Sequence, residues 1–421
     1  MAKQQHRDST VCTASRTASL TGGFCTFPRH HPRRRHICWR MRISGSKHSQ
    51  IDLPAGLTHI GWNAFTGVEH LQYIDLPESL QVIGGGAFAA CYNLKSIAIP
   101  GNVREILQST FAYCLELETI VFSEGVETIA SDAFRGDALD VRDKLANVSI
   151  PSSMTRIDAC VFRGTPWLMG QQEEFFIVGD GVLLKYSGSK QHVIIPDGVK
   201  YISDAFAVNE DRSNDTIVRV TLPDSVRVIG AYAFSNCKEL VLVDVQNGLT
   251  EIGNIAFWGS DNISKIILPP TVTDIGYHGF GNLYGSNLQK IYFQGKPPRT
   301  RWSFPYFTVL YYPMSLTEFW APFGETWITY NMGNGNSMSY AIAPYDNSVP
   351  SPRYGDANED GEITAADAAC VLRYLAGLCE VSEHGLMNAK VSANPELAAE
   401  DAALILRFLT DLIFYFPAEI K

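Results

Sequence analysis

The chain lacks the short motifs that mark most catalytic sites. Its 421 residues contain no Gly-x-Ser-x-Gly, no His-Glu-x-x-His, no Gly-x-x-x-x-Gly-Lys and no Gly-x-Gly-x-x-Gly. None of the nine cysteines forms a Cys-x-x-Cys pair, which argues against a zinc ribbon or a thioredoxin-type site. Glycosidases need only two carboxylates and have no short signature, so motif absence alone does not exclude that enzyme class.

Long apolar runs are also absent. No stretch of about 18 apolar residues occurs, so we expect no membrane-spanning helix. Residues 1–50 hold ten Lys or Arg and one acid, and they contain no apolar core of the signal-peptide kind. We therefore expect a disordered or incorrectly assigned N-terminus, with an arm for anionic lipid or nucleic acid as the alternative. The whole chain carries −10, and this acidity argues against nucleic acid as the main partner.

What the chain does contain is an internal repeat. Its starts at Ile51, Ile74, Ile97 and Ile120 are 23 residues apart, and later starts follow with insertions between some repeats. An Ile near position 10 and a Phe about five residues later recur nine times. These pairs are Ile60/Phe65, Ile83/Phe88, Ile106/Phe111, Ile129/Phe134, Ile157/Phe162, Ile202/Phe206, Ile229/Phe234, Ile252/Phe257 and Ile275/Phe280. A fixed period of this length predicts a solenoid in which stacked repeats bury ladders of equivalent side chains.

The repeat motif, I-x-I-P-x-x-V-x-x-I-G-x-x-A-F-x-x-C-x-x-L, resembles the BspA-like leucine-rich repeat family. The resemblance implies a leucine-rich repeat solenoid over residues 51–295, made of short stacked strands in 23-residue coils. It also implies a non-catalytic protein, secreted or on a bacterial surface, that binds proteins or mediates adhesion. Cys91, Cys114 and Cys237 share position 18, where we expect small buried apolar residues.

Three segments interrupt or follow the repeats. Residues 166–192 contain two apolar runs around Asp180-Gly181, which predicts a hairpin insertion. Residues 296–330 are rich in aromatics and are expected to cap the solenoid, although a sugar-stacking platform is the alternative. Residues 331–352 are rich in Asn, Gly, Ser and Pro and predict a linker.

Near the C-terminus a loop has the spacing of a calcium site. Oxygen donors stand at loop positions 1, 3, 5, 7, 9 and 12, with Gly361 at position 6. The candidate ligands are Asp356, Asn358, Asp360, Glu362, Thr364 and Asp367. A related segment follows 34 residues later, but its loop offers Lys390, Ser392, Asn394 and Pro395. An ammonium group cannot ligate calcium, so we expect one strong Ca²⁺ site and one degenerate loop.

The two related loop–helix segments resemble the dockerin module over residues 353–416, followed by a short tail at 417–421. Asp367-Ala-Ala-Cys-Val-Leu-Arg-Tyr-Leu recurs as Asp401-Ala-Ala-Leu-Ile-Leu-Arg-Phe-Leu. The resemblance implies calcium-dependent docking onto a cohesin domain of a scaffoldin. The contact residues that it implies are Ala365, Ala366, Leu372, Arg373, Ala399, Glu400, Leu406 and Arg407. The alternative is that Leu372 and Leu406 are core residues.

Two functions remain open from the sequence. The first is a non-catalytic binding or adhesion protein carried on a cohesin-bearing, cellulosome-type scaffold outside the cell. The second is an accessory protein in polysaccharide catabolism that contacts glycan through the aromatic segment. We do not expect an enzyme, because the repeats and the dockerin-like segment leave too little chain for a catalytic domain.

Overall fold

The structure is a computed structural model. It describes residues 38–39, 50–135, 144–207, 216–281, 286–300, 304–305, 308–323, 327–331, 337–345, 356–359, 363–392 and 396–409. The chain divides into two compact units. The first comprises Met1–Gln172 and Val178–Asp180, and the second comprises Glu173–Ile177 and Gly181–Lys421.

The first unit is a stack of repeats, each with two short strands. The strands described in it are β1 (Cys38–Trp39), β2 (Gln50–Ile51), β3 (His59–Ile60), β4 (Tyr73–Ile74), β5 (Val82–Ile83), β6 (Ser96–Ile99), β7 (Glu105–Ile106), β8 (Thr119–Phe122), β9 (Thr128–Ile129), β10 (Asn147–Ser149) and β11 (Arg156–Ile157), followed by helix α1 (Pro166–Met169). Strands β2, β4, β6, β8 and β10 form one sheet, and the others form the sheets β1-β3-β5 and β7-β9-β11. Neighbouring strands are parallel, as expected when equivalent segments of successive repeats stack.

The two predicted ladders are confirmed. Ile60 is in register with Ile83, and Ile106 is in register with Ile129. The phenylalanine rings of successive repeats stack, with centroid separations of 5.2, 5.5, 5.3 and 5.6 Å from Phe65 through to Phe162. Each repeat therefore buries its Ile and Phe against the same residues of its neighbour, which a single repeat could not do.

One backbone feature of the repeat was not predicted. Position 13 is left-handed in the regular repeats of both units. These residues are Asn63 (φ 55°), Gly86 (φ 66°), Ser109 (φ 61°), Asp132 (φ 59°), Cys160 (φ 65°), Tyr232 (φ 59°), Ile255 (φ 59°) and His278 (φ 52°). The turn directs the N–H of the ladder phenylalanine to the next repeat, as in Phe65 N to Ala87 O at 2.7 Å. Inter-repeat hydrogen bonding therefore accompanies a conformation that most L-residues avoid.

The cysteines at position 18 are buried, as expected, but they also donate hydrogen bonds. The thiols of Cys91 and Cys114 each lie 3.2 Å from the carbonyl oxygen of a ladder phenylalanine in the preceding repeat. Ser260 occupies the same position in another repeat and makes the equivalent bond to Phe234 O at 2.5 Å. Position 18 therefore accommodates a small residue whose thiol or hydroxyl group donates a hydrogen bond to the preceding repeat.

The second unit contains a further stack of repeats. Its strands are β12 (Phe175–Val178), β13 (Val182–Tyr186), β14 (His192–Ile194), β15 (Tyr201–Ile202), β16 (Arg219–Thr221), β17 (Val228–Ile229), β18 (Leu242–Asp244), β19 (Glu251–Ile252), β20 (Lys265–Leu268), β21 (Asp274–Ile275), β22 (Lys290–Phe293), β23 (Arg299–Thr300), β24 (Val309–Pro313), β25 (Trp327–Asn331) and β26 (Ser337–Tyr345). The sheets have the orders β12-β13-β15-β17-β19-β21-β23, β14-β16-β18 and β20-β22-β24-β26-β25. Its isoleucine ladder runs in register from Ile202 to Ile275.

The predicted hairpin joins this stack. Strand β13 pairs in parallel with β15, and the Tyr186 ring lies 5.1 Å from Phe206. Tyr186 thus begins a ladder that continues through phenylalanines to Phe304. The hairpin is part of the packed core of the second unit because its tyrosine covers the first phenylalanine.

The structure corrects three expected boundaries. Residues 337–345, predicted as linker, form β26, which pairs in parallel with β24 and antiparallel with β25. The repeat-like sheet also continues past residue 295, since β24 pairs in parallel with β22. At the other end, Cys38 and Trp39 pair with His59 and Ile60, although residues 1–50 were expected to be disordered. The remainder of residues 1–49 lies outside the described part of the chain.

Short helices complete the second unit. They are α2 (Thr317–Trp320), α3 (Ala365–Leu375), α4 (Glu383–Ala389) and α5 (Ala399–Leu409), with 3₁₀ turns at Met314–Leu316 and Ala321–Phe323. Helices α3 and α5 pack together over a small core that includes Ala368, Val371, Ala402 and Ile405. Across the described residues, every helix is too short or too polar to span a bilayer.

Candidate functional site

The start of α3 is built around Asp367. Thr364 is the N-cap of this helix, and its side chain and that of Asp367 form a capping box. Asp367 is fully buried: its Oδ1 accepts from Asn358 N–H at 3.1 Å and its Oδ2 accepts from Thr364 N–H at 2.7 Å. One carboxylate therefore joins the beginning of the predicted calcium loop to the beginning of the helix.

The second repeat has the same arrangement. Asp401 is also fully buried, and it accepts from Ser392 N–H at 2.7 Å and from Ala398 N–H at 2.8 Å. These donors lie nine and three residues before the aspartate, as they do in the first repeat. The 34-residue sequence repeat is thus also a structural repeat. The aspartate at loop position 12 therefore accepts main-chain N–H groups at the start of its helix in both repeats, including the repeat whose loop is expected to be degenerate.

The described donors of the first loop suit a hard cation. Asp356 is buried with 4% of its surface exposed, Asn358 is exposed, Thr364 is half-buried, and Asp367 is buried. Each oxygen of a carboxylate has about two acceptor sites, so Asp367 retains capacity beyond its two main-chain bonds. Asp360 and Glu362 lie outside the described residues. Within the described residues no group of three or more His, Cys, Asp or Glu is arranged to hold a metal.

The eight residues implied as cohesin contacts lie at the surface. Ala365, Ala366 and Arg373 on α3 are exposed, and so are their counterparts Ala399, Glu400 and Arg407 on α5. Leu372 is 47% exposed and Leu406 is 43% exposed. The alternative that these two leucines are core residues is therefore wrong.

Two further leucines extend this apolar surface. Leu375, at the end of α3, is 43% exposed, and Leu378, just beyond it, is 69% exposed. Leu375 is three residues after Leu372, which places it close to the same side of the helix. Helical spacing from Leu372 could have identified Leu375 from the sequence, whereas Leu378 follows the helix end and its exposure depends on the turn.

The aromatic segment is mainly core. Phe304, Tyr312 and Trp320 are buried, and Trp320 Nε1 donates to Gly295 O at 3.2 Å. Tyr312 and Trp320 stack with their centroids 5.3 Å apart. Trp302 and the side chain of Trp327 lie outside the described part. The described rings are used for burial, so they offer little free face for stacking on a sugar.

A polar network crosses the strands of the second unit. His192 Nε2 lies 2.9 Å from Thr221 Oγ1, and that hydroxyl donates to Asp244 Oδ2 at 2.8 Å. Arg219 Nε donates to the same Oδ2 at 2.6 Å. The network therefore links an imidazole, a hydroxyl, a carboxylate and a guanidinium across strands β14, β16 and β18. The partners of His192 come from other repeats, so the local sequence around this residue does not indicate the network.

The surface beside this network carries cations and tyrosines. Lys265 and Lys290 are in register on neighbouring parallel strands, as are Tyr292 and Tyr311. The two tyrosine rings stack at 4.6 Å, and both residues are half-buried. Lys290 and Tyr292 are two residues apart on β22, so their side chains lie on the same face of the sheet.

Comparison with known families decides the identity of the repeats. The family model for the BspA type leucine rich repeat region matches residues 44–168 and 209–299, in six copies. The chain belongs to this BspA-type leucine-rich repeat family. The match includes eight of the nine ladder pairs, all except Ile202/Phe206. No curated protein sequence matches the chain.

Several solved structures are similar to this BspA-type chain. A leucine rich cell surface protein from Faecalibacterium prausnitzii is 23% identical over 65% of this chain and 79% of its own, with a TM-score of 0.33. The pneumococcal vaccine antigen PcpA is 18% identical over 71% of this chain and 79% of its own, with a TM-score of 0.34. A leucine-rich repeat protein from Bacteroides ovatus is 17% identical over 71% and 84%, with a TM-score of 0.25.

Proposed function

We propose that this BspA-type protein is a non-catalytic, extracellular binding protein with two separate binding parts. Its leucine-rich repeats bind a protein or surface ligand. Its C-terminal loop–helix pair acts as a dockerin that attaches it to a cohesin-bearing scaffold, with Ca²⁺ held at the first loop. The family supports the first part, and the repeated helices support the second.

The exposed leucines carry the docking proposal. Leu372, Leu375, Leu378 and Leu406 are each at least 43% exposed, although the core of this small module is made mostly of alanine, valine and isoleucine. Large apolar side chains grouped at the surface mark interaction sites. The adjacent Arg373 and Arg407 add a positive rim, which favours a partner surface of acidic and apolar character.

The repeat symmetry of these residues suggests two binding orientations. Leu372-Arg373 on α3 and Leu406-Arg407 on α5 occupy equivalent helix positions, and both pairs are exposed. A rotation that exchanges the helices would present nearly the same side chains to a partner. Glu400 stands where the first repeat has Ala366, so the two orientations differ by one negative charge.

Calcium would have a structural part in this proposal. Asp356, Asn358, Thr364 and Asp367 would hold the ion together with Asp360 and Glu362. The ion supplies positive charge that offsets the repulsion between the loop carboxylates. Asp367 would hold the loop against the first turn of α3 through its hydrogen bonds with the main chain of Asn358 and Thr364.

The repeat part has its own candidate surface. The candidate ligand-contact residues are Lys265, Lys290, Tyr292 and Tyr311, which form half-buried rows on neighbouring strands of the second unit. Burial of Phe304, Tyr312 and Trp320 leaves Tyr311 and Phe319, which are half-buried, as the described aromatics that could serve the glycan alternative for residues 296–330.

The docking proposal is tested by charge reversal. The full chain and its Arg373→Glu/Arg407→Glu variant are titrated against a panel of cohesin domains by surface plasmon resonance, with calcium and with a chelator. We expect the double variant to fold normally, because both arginines are exposed. It should bind at least tenfold more weakly, because two negative charges beside the exposed leucines would repel an acidic partner surface. Arg135→Glu, at an exposed position in the first unit, is the matched control and should bind normally.

Three outcomes bear on the proposal. Binding that needs calcium and is lost in the double variant supports it. Binding unaffected by the double reversal shows that this face does not dock. Failure of the unmodified chain to bind any cohesin removes the dockerin assignment. The repeat function is assessed separately, by pull-down of host and bacterial surface proteins with the full chain and with a Lys265→Glu/Lys290→Glu variant.

A further inference from the structure

Two cysteines of the C-terminal module lie together. Cys370 is in α3, and Cys379 follows the end of that helix by four residues; both are half-buried. Cys379 Sγ lies 3.8 Å from the backbone oxygen of Cys370. The Cys379 side chain therefore reaches residue 370, and both cysteines are partly open to solvent.

The end of α3 explains how they meet. Gly377 has φ 68°, and its N–H donates to Tyr374 O at 2.9 Å. The next N–H, of Leu378, donates to Arg373 O at 2.8 Å. These two bonds form a Schellman motif, which reverses the chain direction at a helix C-terminus. The reversal returns Cys379 to the last turns of α3, beside Cys370.

We propose that Cys370 and Cys379 form a reversible disulfide that ties the end of α3 back onto the helix. A small-molecule disulfide such as glutathione disulfide is the oxidant. One cysteine thiolate attacks it and releases the first glutathione thiol, leaving a mixed disulfide on the protein. The second cysteine then displaces the remaining glutathione. The two cysteines are oxidised, glutathione disulfide is reduced to two thiols, and two protons are transferred.

The cysteines of the repeats differ from this pair. Cys91, Cys114 and Cys237 are buried, and each donates to a carbonyl oxygen in the preceding repeat. Burial raises the pKa of Cys91 to about 12, and it raises the pKa of Cys114 and of Cys370 as well. Access to solvent, and not thiol pKa, therefore distinguishes the C-terminal pair, because covered thiols exchange slowly. Cys370 and Cys379 are both half-buried, and the Cys379 thiol reaches the backbone of residue 370.

The crosslink would act next to the predicted calcium loop. Cys370 Sγ lies 3.9 Å from the carbonyl oxygen of Ala357. Ala357 is the loop residue between the candidate ligands Asp356 and Asn358. The ring closed by the disulfide would include the Schellman turn and Leu375 and Leu378 of the exposed apolar surface. Oxidation would therefore restrict the end of α3 at the surface that we propose for docking, but the disulfide itself requires neither calcium nor a cohesin.

The test uses the folded full chain. It is treated with glutathione disulfide at mildly alkaline pH, the remaining thiols are alkylated without unfolding, and disulfide-linked peptides are mapped by mass spectrometry. We expect one peptide pair that joins Cys370 to Cys379 and has lost two hydrogens, and a loss of two reactive thiols. A reducing agent should reverse both changes. Cys91, Cys114 and Cys237 should remain unmodified in the same sample.

Single variants provide the controls. Cys370→Ser and Cys379→Ser should each lose the crosslink, and the remaining cysteine should retain bound glutathione because no second thiol displaces it. Glutathione adducts at both cysteines of the unmodified chain, without a crosslink, would overturn the proposal. So would a crosslink from either residue to another cysteine, or no modification of either. These results do not depend on cohesin binding, so the disulfide and the docking proposal can fail separately.

Discussion

Removing one ring from the phenylalanine ladder tests the register of the repeats. Phe111 is 1% exposed and stacks between Phe88 at 5.5 Å and Phe134 at 5.3 Å, with ring planes within 11° of parallel. Phe111→Ala removes this side chain from the middle of the first unit. We expect a loss of about 3–5 kcal/mol in the free energy of unfolding, the usual cost of a large core truncation.

The contacts of Phe111 place the expected loss in the free energy of unfolding in the upper part of that range. The ring makes two stacked contacts, and each aromatic pair contributes roughly 0.5–1.5 kcal/mol beyond the area that it buries. Its neighbours are held in place by inter-repeat hydrogen bonds, such as Phe111 N to Ala133 O at 2.7 Å, so the stack has little freedom to close the cavity. The loss is measured by urea denaturation followed by circular dichroism.

Two exposed positions give the comparison. Tyr92 is 40% exposed and His70 is exposed, and neither belongs to a ladder. Replacement of either by alanine should change stability by no more than about 0.5 kcal/mol. Similar losses at Phe111, Tyr92 and His70 would refute the register, because burial in the ladder would then not be what distinguishes Phe111.

Three further predictions follow from single sites. Calorimetric titration of the full chain with Ca²⁺ should show one strong site, and Asp356→Ala should abolish it; two equal sites would contradict the degenerate second loop. Burial lowers the pKa of His278 in the folded chain. As the pH falls below about 6.5, the unfolded chain binds a proton at this histidine more readily than the folded chain does, so the free energy of unfolding decreases. His278→Asn, which tolerates the left-handed backbone, should reduce this acid dependence of the melting temperature. Gly253→Ala should destabilise by about 1–3 kcal/mol because its Cβ would lie 2.5 Å from Ala231 N, whereas Gly56→Ala, with no atom within 4 Å, should be neutral or slightly stabilising in the same assay.

The helix pair has one feature that the sequence predicts, the start of each helix, and one that it does not, the exposure of two leucines. The identity of Asp367 and Asp401 in a 34-residue repeat predicted equivalent helix starts, and the matching main-chain hydrogen bonds agree with that expectation. The exposure of Leu372 and Leu406 could not be read from the same repeat. An apolar residue on a short helix is equally compatible with core and with a docking surface, and only the packing of α3 against α5 decides which side faces outward.

The sequence by itself determined the repeat architecture. Each repeat must bury an Ile and a Phe that it cannot cover alone, and the constant spacing of these residues requires the repeats to stack in register. Tertiary structure decided the features that arise between distant segments. Residues 337–345 form a strand that pairs with β24, which the Asn, Gly, Ser and Pro content of residues 331–352 as a whole did not indicate. His192 meets Thr221, and Cys379 meets Cys370, because strand stacking and a helix-terminal turn bring them together. Local periodicity fixes which residues are buried within a repeat, whereas side-chain partners depend on where the folded chain returns.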